Sequence, residues 1–162
     1  MQICILSSWR FRITGKSRGK ILDLGTGSGL LGIVAAKKGA IVTFADIDEK
    51  ALSDAKTNAK LNNICGKFVV TNLFSNIHER FNTIIFNPPY LYSKPLNKLK
   101  SKRIYALDGG IKGRELIDSF IKEYNKHVKK EHVVLMLESS LNDYEKDVTK
   151  LNAEIVEEKN LF

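Results

Sequence analysis

Asn87-Pro88-Pro89-Tyr90 directly follows the apolar run Thr83-Ile84-Ile85-Phe86, and its residue types suit one particular task. A nitrogen whose lone pair is delocalised into a carbonyl or an aromatic ring attacks a methyl group poorly. If the Asn87 side-chain oxygen and the Pro88 carbonyl each accept one N–H of such an –NH2 group, they hold the nitrogen in line and favour the charge that develops on it. Proline suits its place because a restricted φ holds the carbonyl with little entropy loss. A tyrosine can stack on a flat amide or base and help enclose a cationic methyl donor. Asn87, Pro88, Pro89 and Tyr90 are therefore the candidate catalytic residues. The same four residues could form a rigid turn and nothing more, but adjacent prolines flanked by Asn and Tyr at a strand end make chance a weak account.

Asp23-Leu24-Gly25-Thr26-Gly27-Ser28-Gly29 closes another apolar run, and its missing Cβ atoms let backbone N–H groups approach a ligand closely. Gly27, Gly29 and Gly32 formally match the dinucleotide fingerprint, with Asp48 about 20 residues further on. The register argues against that match. The first glycine of a dinucleotide turn directly follows its strand; here that residue is Gly25, and the third glycine position counted from it holds Leu30. Asp46, ending the next strand, can accept two hydrogen bonds from vicinal ribose hydroxyls, whichever nucleotide-like cofactor is bound. Asp48 reads as a helix N-cap that accepts from an N–H near Lys50 or Ala51.

These residues need elements to hold them. Apolar runs at 20–24, 41–45, 68–71, 83–86 and 133–137 read as strands. Between them, 30–36 reads as a helix, and so does the stretch with Ala51, Leu52, Ala55 and Ala59 on one face, which ends at Asn62-Asn63. A third helix is expected over Leu116, Ile117, Phe120, Ile121, Tyr124 and Val128, which recur with helical spacing. Strands alternating with helices predict an α/β fold, a parallel twisted sheet covered on both faces with right-handed crossovers. Such sheets bind ligands beyond the carboxyl ends of their strands, where Gly25, Asp46, Asn72 and Asn87 all fall.

At 162 residues the chain is sized for one domain, divided here into a basic lead at 1–19 and a domain at 20–162. Hydrophobic residues at 43% and charged residues at 27% exclude wholesale disorder and a disulfide scaffold. No apolar run approaches the ~18 residues of a spanning helix, and Ile3-Cys4-Ile5-Leu6 is shorter than a signal-peptide core, so a cytoplasmic location without membrane attachment is expected. Cys4, Cys65, His78, His127 and His132 show no metal-ligand spacing, so no metal is expected. The net charge of +8 suits a polyanionic partner and equally suits solubility alone. The basic stretch 94–103, with Lys94, Lys98, Lys100, Lys102 and Arg103, could follow phosphates or be a solvated loop.

Taken together, Asp23 to Gly29, Asp46, Asn72-Leu73-Phe74, Asn87 to Tyr90, Ala106-Leu107-Asp108-Gly109-Gly110 and Gly113-Arg114-Glu115 resemble the HemK/PrmC methyltransferases, a Rossmann-like class I family, over roughly residues 20 to 160. The likeness is to the compact archaeal and eukaryotic branch. It implies S-adenosylmethionine as cofactor, bound by Asp23 near the methionine end, by Gly25, Thr26, Gly27 and Gly29 of the turn, by Asp46 at the ribose, by Asn72 and Leu73 beside the adenine, and by Ile47 and Asn87. It implies N5-methylation of a glutamine amide in a class-1 translation termination (release) factor, with a small zinc-binding activator protein as partner. Three departures stand out. Asn72 occupies a place where the family has Asp, residues 1–19 contain no Asp or Glu, and the chain ends at Phe162 where the family continues into a last antiparallel strand. The sheet is therefore expected either to lack that strand or to have it finished by another chain.

Two other functions compete with that reading. N6-adenine methylation of DNA or RNA presents the same planar amine to the turn. A catalytically silent methyltransferase-like binding subunit fits the missing acidic lead. With no aromatic RNA-reading module and no room for a target-recognition domain, the residues favour a protein acceptor.

Overall fold

The computed structural model describes residues 2–8, 19–89 and 114–159. Seven strands form one sheet in the order β4-β3-β2-β5-β6-β1-β7. Its centre is β2 (Lys20–Leu24), flanked by β3 (Ile41–Asp46) and β5 (Phe81–Phe86), with β4 (Lys67–Val70) outside β3 and β6 (Val128–Ser139) outside β5. These five strands are mutually parallel. β2 is buried at every position after Lys20, as expected of a central strand covered on both faces.

Alternation within each strand sends side chains to two cores. Leu22, Leu24, Ile84, Phe86, Val134 and Met136 face α3 (Glu115–Glu123), which returns Ile117, Phe120 and Ile121. Ile21, Val42 and Phe44 face the other way, where α1 (Leu30–Lys37) contributes Ile33 and α2 (Glu49–Leu61) contributes Leu52 and Ala59. The N-cap assigned to Asp48 is formed, its carboxylate accepting from Lys50 N at 3.0 Å.

Three expectations need correction. The helical spacing that ran on to Val128 stops earlier: α3 ends at Glu123, a single 3-10 turn (Tyr124–Lys126) follows, and Val128 opens β6. Val128 is buried in either assignment, so its apolar character could not choose between them. The sheet does not lack an antiparallel strand. β1 (Gln2–Ser8) lies between β6 and β7 (Glu154–Lys159) and pairs antiparallel with both. The lead at 1–19, expected outside the domain, thus supplies a strand of the domain's own sheet. The physical reason is that β5 covers only one edge of β6, and without β1 the other edge would stand unpaired from Val133 to Ser139. A further helix, α4 (Tyr144–Leu151), precedes β7. Among the described residues no helix is long and apolar enough to cross a membrane.

Candidate active site

The strand register brings the candidate residues onto one rim. Leu24 pairs with Ala45 on one side and with Phe86 on the other, so Gly25 and Asn87, just past their strands, stand level with Asp46, the last residue of β3. Asp46 in turn pairs with Val70, which sets Asn72 beyond the end of β4.

Backbone conformation explains the glycines. Gly25, Gly27 and Gly29 have φ of 66°, 53° and 84°, a region costly for side chains with a Cβ. A Cβ at Gly27 would meet nothing within 4 Å, so this glycine borders open space above the sheet. At Gly29 it would stand 3.1 Å from the Ala55 Cβ, because α2 packs directly beneath the turn. At Gly32 it would stand 2.4 Å from Phe44 Cε1 and 2.9 Å from Asp23 Oδ2, so Gly32 is a packing glycine inside α1. Asn58 of α2 also donates to the Ser28 carbonyl at 2.9 Å, a support that the sequence reading missed.

Asp23 is 2% exposed and holds the turn from within. One oxygen, Oδ2, accepts both the Thr26 hydroxyl at 2.6 Å and the Gly32 N–H at 2.8 Å. Burial pushes this carboxyl up to about 6 against those two hydrogen bonds, and the charge of Asp46 pushes the same way. Thr26 is buried, with its N–H on the Ala45 carbonyl at 2.9 Å. The Asp46 carboxylate accepts from Gly27 N at 2.8 Å through one oxygen and from Asp48 N at 2.9 Å through the other. Each oxygen keeps a second lone pair, enough for a pair of vicinal hydroxyls.

Ile47 is 66% exposed at this rim, and Asn72 is exposed beside the half-buried Leu73. Their loop is built on Thr71, whose hydroxyl lies 3.0 Å from the Leu73 carbonyl, to which it donates, and accepts from Asn76 N at 3.0 Å. Asn76 Nδ2 closes the turn on the Val70 carbonyl at 2.8 Å. Thr71 and Asn76 were not among the expected residues, although a Thr opening a polar run is a recognisable turn signal. Asn87 is exposed, Pro88 buried and Pro89 half-buried. The Asn87 carbonyl lies 4.0 Å from where a Gly25 Cβ would stand, so the two turns abut. Tyr90, the stretch 94–103 and the motif residues 106–110 and 113 lie outside the described residues.

Comparison with known proteins gives the chain a family. Residues 11–105 match the methyltransferase small domain family. The chain belongs to that family. A protein of Methanocaldococcus jannaschii, provisionally named a protein N5-glutamine methyltransferase, is 43% identical over 132 residues, 81% of this chain and 67% of that one. Among solved structures, a ribosomal protein L11 methylase from Lactobacillus delbrueckii aligns over 90% of this chain and 66% of its own, with TM-score 0.66 and 22% identity. The Pyrococcus abyssi tRNA (uracil-54, C5)-methyltransferase, in complex with S-adenosyl-L-homocysteine, aligns over 83% of this chain and 28% of its own at TM-score 0.56 and 25% identity. Of the ribosomal RNA small subunit methyltransferases C and ribosomal protein L11 methyltransferases it resembles in sequence, the chain spans 22 to 37% of the length.

The family member described here has the Rossmann-like class I methyltransferase fold and is an S-adenosylmethionine-dependent methyltransferase. Its residues fit that cofactor. The open Gly27, the free lone pairs of Asp46 and the apolar Ile47 and Leu73 beside Asn72 answer a close approach, a ribose and a flat base in turn.

Proposed function

We propose that the chain methylates the side-chain amide of a glutamine in a protein, and that the protein is a class-1 translation termination factor. The observation that carries this reading is the contact between the two turns, with the Asn87 carbonyl 4.0 Å from the Cβ position of Gly25. An amide nitrogen held by Asn87 and Pro88 is thereby next to the glycine turn that receives the cofactor. S-adenosylmethionine, when bound, supplies an electrophilic methyl group. Asn87 and Pro88 each accept one N–H of the amide, which fixes the nitrogen and stabilises its growing positive charge. Pro88, buried, keeps its carbonyl from turning away. Asp46 and the turn around Thr71 orient the donor from the opposite side of Gly25.

The likeness to the M. jannaschii protein supports the same acceptor class. A small zinc-binding activator protein and a nucleic-acid contact through residues 94–103 belong to the proposal as partners. The test is to incubate the protein with a labelled methyl donor, a candidate termination factor and bulk nucleic acid. Label in a glutamine of the factor supports the reading. Label in adenine would replace it with nucleic-acid methylation, and cofactor binding without any label transfer, activator included, would make the chain a silent binding subunit.

A further inference from the structure

Glu138 is a carboxyl group that no part of the proposed chemistry uses. It lies two residues beyond Met136 on β6, and Met136 is the register partner of Phe86, the residue before Asn87. It is 0% exposed, on the face shared by Val134 and Met136, and among the described residues neither side-chain oxygen has a hydrogen-bond partner. Leaving such a group unpaired inside a fold is costly.

The charged groups facing it come from two other elements. Arg114, immediately before α3, lies 3.9 Å from Glu138 Oε2 but spends its hydrogen bonds elsewhere. Its Nη2 donates to both oxygens of Asp147 in α4, at 2.9 and 2.8 Å, and to Asp118 in α3 at 3.0 Å. Its Nη1 donates to the Asn142 carbonyl, in the turn that follows β6. Asp147 is itself buried, so the cluster sets one guanidinium among three carboxyl groups. Burial, with the charge of Asp147 next, holds the Glu138 carboxyl well above the usual carboxylate range against the pull of Arg114, up to about 8.

The cluster also touches the site mechanically. α3 begins next to Arg114, and about one and a half turns further on its Phe120 ring stacks on Phe86 at 4.5 Å. Whatever sets Arg114 therefore bears, through α3, on the residue from which the Asn87 turn departs.

We propose that Glu138 is a positioning residue for the Asn87 turn and acts in its protonated form. Uncharged, it leaves Arg114 to Asp147 and Asp118. Ionised, it competes for the guanidinium, draws the start of α3 toward β6 and shifts Phe86 and Asn87. The inference rests on the reading of Asn87 as the group that holds the methyl acceptor, but it is tested without turnover.

The experiment follows the carboxyl carbon of Glu138 and the backbone amides by nuclear magnetic resonance from neutral to about pH 9.5. The Asn87 and Ile117 amides are expected to move with the Glu138 titration, and to stop doing so in Glu138→Gln, which imitates the protonated acid. The amides of Gly27 and Gly29, across β2, are expected to stay still through the same step. With a methyl acceptor in hand, kcat should fall on the order of tenfold over that step, the scale of coupling through packed side chains, while S-adenosylmethionine affinity holds and Glu138→Gln abolishes the fall. An Asn87 amide that ignores the Glu138 titration, or that follows an unchanged titration in Glu138→Gln, overturns the proposal. If no acceptor is methylated, the proposed function fails, and the amide titration still decides the role of Glu138.

Discussion

At the scale of single residues, Asn87 and Asp46 have separable tasks. Asn87 is proposed to act on charge that exists only in the transition state, so Asn87→Ala should lower kcat by ~10² to 10³, as deletion of one preorganised group in an oxyanion hole does. Cofactor binding should weaken far less than kcat falls, although the family resemblance also sets Asn87 beside the cofactor. Single-turnover methylation with binding measured separately checks both statements, and normal turnover would make the turn structural. Asp46 is proposed to act on the ground state. Its carboxylate already holds the Gly27 and Asp48 amides, so Asp46→Ala would remove the proposed ribose partner and also loosen the glycine turn. Affinity for S-adenosylmethionine should fall by ~1.5 to 3 kcal/mol in calorimetry, the range for hydrogen bonds to a charged group.

At the scale of elements, the glycine turn is held from below by α1, α2 and β3. Gly32→Ala would drive a methyl group to 2.4 Å from the Phe44 ring and 2.9 Å from the Asp23 carboxylate, so α1 must lift off the sheet. We expect a loss of ~1 to 3 kcal/mol in urea unfolding, typical of overpacking, with weakened cofactor binding because Thr26 and Gly32 share Asp23. Asp23 gives a pH signature as well. Its folded value of about 6 lies above the ordinary 3.8, so the unfolded chain releases this proton more readily and the buried charge costs stability at neutral pH. That cost is full above pH 6 and fades as pH falls from 6 toward 3.8. Both hydrogen bonds converge on one oxygen, which an amide can replace, so Asp23→Asn should be at least as stable as the parent at neutral pH. The difference should vanish near the lower end of that window. Thermal melts across the range test the sign, and a variant that gains relative stability on acidification would refute it.

At the scale of the whole molecule, the sheet joins the two ends of the described chain: Gln2 pairs with Ser139 on one side and with Lys159 on the other. β1 is thus an interior strand, whereas β7 is exposed at every position and carries Glu154, Glu157, Glu158 and Lys159, charges that discourage further strands from adding to this edge. A proline in β1 removes a backbone donor where both neighbours need pairing. Leu6→Pro, opposite Leu135 and Glu154, should cost ~1 to 3 kcal/mol for the unpaired group alone, lower the thermal midpoint and promote self-association visible in size-exclusion chromatography. An unchanged midpoint would mean that β1 contributes little to the domain.

The α/β alternation, the glycine turn and the places of Asp46 and Asn87 at strand ends were legible in the sequence because each depends on local periodicity or on a residue type with one unusual property. Gly25 needs a positive φ and Pro88 a fixed one, and both needs are written at the position itself. Tertiary structure alone decided where β1 goes, because pairing Ile3 with Glu138 links residues too far apart for any local pattern to record. It also decided that Val128 belongs to a strand, that β7 exists although no apolar face marks it, and that Arg114, Glu138 and Asp147 meet. A charged residue reads as solvent-facing in a sequence. Only packing shows when three of them have been closed into a core, where desolvation and proximity set their chemistry.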